Sequence, residues 1–177
     1  MAQASLQQPF ARGRIRGLGR LRRPRDHRAP PSSRGMMRGR EAAMQVDGQC
    51  HCGRIRYEAE LDPDGILICH CTDCQATSGS AFRTVALTVP GGYRLLAGTP
   101  TTYVKVADSG ARRVQSFCPD CGSRLTSTSD GPEPKVHSLR TGTCRQRAEL
   151  VPVGQIWCGS ALPWLDRLPD IPRRPTR

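Results

Sequence analysis

With 177 residues and a formal charge of +12, the chain is long enough for one domain with a modest core. No stretch approaches the roughly twenty apolar residues of a membrane span. Nine cysteines, an odd number, fit a disulfide framework badly.

The charge is uneven. Residues 1–43 hold eleven arginines against Asp26 and Glu41, which gives +9 and leaves only +3 for residues 44–177. Rich in Arg, Pro, Gly and Ser and without apolar periodicity, residues 1–43 cannot build a core and are expected to be a disordered extension. One reading is a basic arm on nucleic acid or anionic lipid, and another is an Arg-rich transit peptide. The favoured reading is that the segment is not translated and that the protein starts at Met44. Arginine outnumbers lysine 25 to 2, as in GC-rich coding DNA, where spurious upstream extensions are common. An apolar h-region is lacking, so a cytoplasmic location is expected, with no membrane partner and nucleic acid met only through residues 1–43.

Residues 44–177 read as one all-β domain of short strands separated by turns. Arg54–Glu60 alternates, Asp62–Gly65 is expected to turn the chain, and Ile66–Cys69 follows as a new strand. Helix is scarce, and the segment after Cys74 is one place for a short turn of it. Ala81–Val89 is expected to end at Pro90-Gly91-Gly92. Tyr93–Leu96 and Thr101–Val106 come next, then a turn at Asp108–Gly110. Arg112–Phe117, Leu125–Ser127, Val136–Thr141 and Val153–Trp157 complete the set.

Seven cysteines cluster as Cys50-His51-Cys52, Cys69-His70-Cys71-Thr72-Asp73-Cys74 and Cys118-Pro119-Asp120-Cys121. Cys-x-Cys on a strand puts both sulfurs on one face. In Cys118–Gly122 the proline presets a turn and the glycine can take positive φ after the second ligand. Disulfides within such pairs would close small strained rings, so the spacing points to metal. A structural zinc takes four ligands and a catalytic zinc three plus an open position. Seven divides into Cys50, Cys52, Cys118 and Cys121 around one ion and Cys69, Cys71 and Cys74 around another. The competing division adds one outer cysteine to the middle three and leaves three dispersed. Zinc is favoured, although iron or cobalt also suits all-thiolate sites.

These motifs extend outward as Gly48-Gln-Cys50-His-Cys52-Gly53-Arg-Ile-Arg-Tyr57, Cys69-His-Cys71-Thr-Asp-Cys74-Gln75 with Ser78-Gly79, and Phe117-Cys118-Pro-Asp-Cys121-Gly122-Ser-Arg-Leu125. With Ser160–Trp164 in the tail, they resemble the glutathione-dependent formaldehyde-activating enzyme family, whose domain centromere protein V shares. The resemblance runs from about Met44 to Pro172. It implies an all-β, zinc-bound β-tent fold with two zinc ions per chain. Cys50, Cys52, Cys118 and Cys121 match the family's structural site, and Cys69, Cys71 and Cys74 match its catalytic one. It also implies a carbon–sulfur lyase that joins glutathione to formaldehyde as S-hydroxymethylglutathione. The matching motifs are metal ligands and turns, which do not specify a substrate.

Around an open zinc on Cys69, Cys71 and Cys74, an incoming thiol would lose its proton and add to the aldehyde. Arg83 and Arg124 are candidates for nearby positive charge. His51 and His70, between ligands on a strand, should point away from metal, and His137 reads as a strand surface residue. His27 falls in the N-terminal segment. Cys144 and Cys158 read as buried reduced cysteines, and Trp157 and Trp164 as packing of the C-terminal tail. Two other functions compete with the lyase. One is a zinc-stapled binding module without catalysis. The other is a thiol redox enzyme of the methionine sulfoxide reductase type, which would need Cys144 or Cys158 as its reactive thiol.

Overall fold

Alternating apolar residues in β-branched and aromatic company produce a largely antiparallel sheet. The computed structural model describes residues 42–106 and 110–176, all within the unit Gly39–Arg177. Residues 1–41, with His27, and part of the Asp108–Gly110 turn lie outside the described residues. Among the described residues the strands are β1 (Met44–Gln49), β2 (Arg56–Cys69), β3 (Arg83–Ala97), β4 (Thr101–Val106), β5 (Arg112–Phe117), β6 (Arg124–Ser129), β7 (Ser138–Arg140) and β8 (Gly154–Ile156), and α1 spans Thr72–Ser78. The order across the sheet is β1-β2-β3-β7-β6-β5-β4, with β8 beside β2. That last pairing is parallel. No helix among the described residues is long and apolar enough to cross a membrane.

Period-2 alternation sends Tyr57, Ala59 and Leu61 of β2 inward while Glu58 and Glu60 stay partly solvated. They meet Val46 of β1, Ala86 of β3, Leu125 of β6 and Leu139 of β7 in one core. Leu61, Leu125 and Leu139 are 0% exposed, and burying each contributes about 2 kcal/mol. The Tyr57 hydroxyl is satisfied inside by the Thr143 hydroxyl at 2.6 Å. Cys144 is buried, as its isolation suggested.

Two expected turns are bulges within long strands. Between the pairs Leu61↔Thr88 and Ile66↔Ala86, residues 62–65 of β2 face only Leu87, so Asp62–Gly65 swells the strand without reversing it. The reciprocal bulge sits on β3, where 89–92 face Glu60 alone between Leu61↔Thr88 and Ala59↔Tyr93. The glycines serve close approach here. A Cβ on Gly65 would lie 2.8 Å from that of Leu87, and one on Gly92 2.8 Å from the Glu60 carbonyl.

Three further expectations are corrected. The Met44–Gln49 strand was missed, although its Val46 and Gly48 face the core side of β2. Trp157 and Trp164 are 58% and 47% exposed, so the tail does not bury them, and Cys158 is exposed as well. His137 is half-buried, stacked on Tyr93 with ring centroids 4.6 Å apart; burial lowers its pKa.

Candidate metal centres

Two groups of sulfurs converge. The Sγ atoms of Cys50, Cys52, Cys118 and Cys121 all lie within 4.8 Å of one another, as do those of Cys69, Cys71 and Cys74. Among the described residues no other His, Cys, Asp or Glu joins either group.

The four-sulfur group is built from two matching turns. After β1, Cys50 accepts the Gly53 N–H on its carbonyl at 3.0 Å and the Ile55 N–H on its sulfur at 3.3 Å. After β5, the Cys118 carbonyl accepts the Gly122 N–H at 2.9 Å. Gly53 and Gly122 close these turns at φ 77° and 69°, where a side chain would be strained. The turns are tied together by the His51 N–H on the Ser123 hydroxyl at 3.0 Å and by an Arg54–Asp120 ion pair at 3.0 Å. Cys50 and Cys118 are 1% and 0% exposed, so one side of the group is seated in the core, while Cys52 is exposed and Cys121 partly buried. The Ser123 hydroxyl and nearby N–H groups pull Cys121 down to about 5.

The three-sulfur group is local. Cys69 ends β2, Cys71 caps α1 and Cys74 lies in its first turn. The Cys71 sulfur accepts the Cys74 N–H at 3.4 Å, a helix-terminal setting that favours thiolate. Neither Cys-x-Cys pair lies on a strand, contrary to the expectation. The first sits in a turn, and the second straddles the junction of β2 and α1. His51 is exposed. His70 is buried and bonds Gln155 of β8 through Nε2 at 2.7 Å. The Gln75 amide nitrogen donates to the carbonyls of His70 and Ser160, both at 2.8 Å, holding the C-terminal tail against α1.

Both groups suit a soft divalent cation. A tetrahedral ion with metal–sulfur bonds of about 2.3 Å sets neighbouring sulfurs roughly 3.8 Å apart; Cys52 and Cys118 are 3.8 Å apart and Cys50 and Cys52 3.4 Å. Hydrogen bonds among the three sulfurs make them unequal as acids. The Cys69 and Cys74 thiols donate to Cys71 and hold it down at about 2. Donation to Cys71 keeps Cys69 far up. At Cys74 the Cys69 thiol favours thiolate, but Cys71 and burial outweigh it. A dication among the three sulfurs would favour thiolate at all of them.

A cavity of about 380 Å³ opens near this trio, with none of its three cysteines in the lining, and Arg83 and Arg140 on its wall feel the charge of the trio. It is lined by Thr77 and Ser78 of α1, Arg83 and Thr84 of β3, Arg124 of β6 and Arg140 of β7. Arg83 pairs directly with Cys69 across the β2–β3 ladder and donates to the Thr77 hydroxyl at 2.9 Å. Arg124 lies over the Phe117 ring, 4.9 Å from its centroid. Arg140 went unnoticed in the sequence because only the pairing of β7 with β3 brings it here. Cys144 is an unpromising redox nucleophile, since burial pushes its thiol up and outweighs the hydrogen bond with the Tyr57 hydroxyl 3.4 Å away, which favours the thiolate.

No curated protein matches the chain. A Rhodobacter sphaeroides protein solved by structural genomics is 20% identical with a TM-score of 0.48, and the match covers 62% of this chain and 98% of that one. Residues 45–160 match the family described as glutathione-dependent formaldehyde-activating enzyme, a span that contains every cysteine of both groups. The chain belongs to that family.

Proposed function

We propose that the protein is a zinc-dependent carbon–sulfur lyase that adds a small thiol, glutathione, to formaldehyde. Family membership supports glutathione-dependent activation of formaldehyde in general terms. The observation that carries the finer reading is a three-sulfur group with no fourth ligand among the described residues, beside a basic pocket.

In this reading Cys50, Cys52, Cys118 and Cys121 hold a structural zinc, and Cys69, Cys71 and Cys74 hold a catalytic one. Zinc at the second site would supply an open position at which a thiol is acidified. The chain's own residues do the rest. The Cys74 N–H at the start of α1 favours negative charge on the Cys71 sulfur, and the guanidinium of Arg83 favours it on Cys74. Gln75 fixes the Cys-His-Cys segment against the tail, which limits drift of the ligands. In the net reaction the thiol sulfur bonds to the formaldehyde carbon. The carbon–oxygen π bond opens, and the oxygen gains the proton that the thiol loses.

Glutathione and formaldehyde also combine spontaneously, so the test is acceleration. Exchange NMR with ¹³C-formaldehyde and glutathione should show adduct formation speeded by the zinc-loaded protein. Cys71→Ser should lower that acceleration by roughly 10²-fold or more, the scale of a lost positioned electrostatic contribution. Exchange no faster than in protein-free buffer would sink the proposal.

A further inference from the structure

The pocket beside the three cysteines holds more positive charge than those cysteines can balance. Arg83 and Arg140 are 5% and 8% exposed, and Arg124 is half-buried beside them. Each keeps a buried nitrogen without a hydrogen-bond partner: Nη1 of Arg83, Nη1 of Arg124 and Nε of Arg140. Among the described residues none of the three pairs with a carboxylate. A buried guanidinium without a counter-charge is costly. Three thiolates around a dication leave one net negative charge, so three guanidiniums beside them retain a surplus of two. Planar guanidinium forks with free donors are the group best suited to an oxyanion. Their positions come from separate parts of the fold. Arg83 sits opposite Cys69, Arg140 opposite Val85 on the neighbouring ladder, and Arg124 just past the Cys118–Gly122 turn.

We infer that Arg83, Arg124 and Arg140 form a carboxylate subsite that holds an acid group of the thiol substrate, so that the enzyme selects carboxylate-bearing thiols over neutral ones. The inference rests on the proposed thiol–formaldehyde reaction and deepens it. Formaldehyde carries no charge, so the anion must belong to the thiol, and glutathione has two carboxylates to offer. In this arrangement the acid group anchors in the arginine pocket while the sulfur reaches toward the cysteine trio.

Calorimetric titration of the zinc-loaded full chain with S-methylglutathione tests this directly, because the probe keeps both carboxylates and cannot react. The acid should bind, and its diethyl ester should bind about tenfold more weakly or worse, the scale of losing charge-assisted hydrogen bonds. Arg140→Gln should cause a similar loss. So should Arg124→Gln, whose half-buried side chain burdens folding less. Equal binding of acid and ester, or binding of inorganic phosphate but not of S-methylglutathione, overturns the subsite. A second arm compares turnover of glutathione with that of N-acetylcysteamine, a neutral thiol. Equal acceleration of the two would refute the subsite and leave the reaction standing. Acid-selective binding without any acceleration would refute the reaction and leave the subsite standing.

Discussion

The two cysteine groups use one ligand type in opposite surroundings. The four-sulfur group joins turns more than sixty residues apart, seats Cys50 and Cys118 in the core and carries a balanced Arg54–Asp120 pair on its rim. The three-sulfur group comes from six consecutive residues at the junction of β2 and α1 and lies near a pocket of arginines without carboxylate partners among the described residues. Ligand chemistry is the same, so the role of each must come from closure and from charge. A closed group between distant turns links metal binding to folding. A local group can lose its ion while the sheet persists.

Cys118→Ser should therefore have the largest effect. Removing a ligand from the four-sulfur group forfeits metal-linked folding free energy of order 10 kcal/mol, and thermal circular dichroism should show no cooperative unfolding. A cooperative melt near the wild-type midpoint would erase the distinction between the groups. Gln75→Ala acts beside the open group, removing both amide bonds to His70 and Ser160. It should cost about 1–2 kcal/mol and raise hydrogen exchange in Gly154–Ile156 and the tail without affecting β5 and β6. Uniform loss of protection across the sheet would mean that the tail and the core are one cooperative unit. Asp120→Asn breaks the ion pair at the closed group, where the side chains are 70% and 43% exposed. Its effect should stay within ~0.5 kcal/mol, and a larger shift in the denaturation midpoint would show that the rim pair supports the turns.

Local patterns were the legible part of the sequence. Thr101–Val106 and Arg112–Phe117, read as strands flanking a turn, are strands with those bounds. Close spacing marked the cysteines, and Gly122 takes the positive φ that its place after Cys121 suggested. What misled was punctuation that serves the sheet. Asp62–Gly65 and Pro90–Gly92 carry turn residues, yet each bulges against a single residue of the facing strand. Cys-x-Cys reads as a strand pair until Cys71 is needed as the cap of α1. Arg140 was beyond reach for a different reason. Nothing local separates it from other arginines, and only the β3–β7 register places it beside Arg83. The pocket is thus a product of strand pairing, whereas the cysteine groups are mostly products of short-range spacing.

Native mass spectrometry of the full chain and of Cys71→Ser, counting zinc per polypeptide, tests the contrast between the groups most directly. The wild type should carry two zinc ions. Cys71→Ser should carry one and keep a cooperative melt within about 4 °C of wild type, a shift of roughly 1 kcal/mol at this size. A Cys71→Ser protein that loses both ions and unfolds, or that keeps both, would contradict the account.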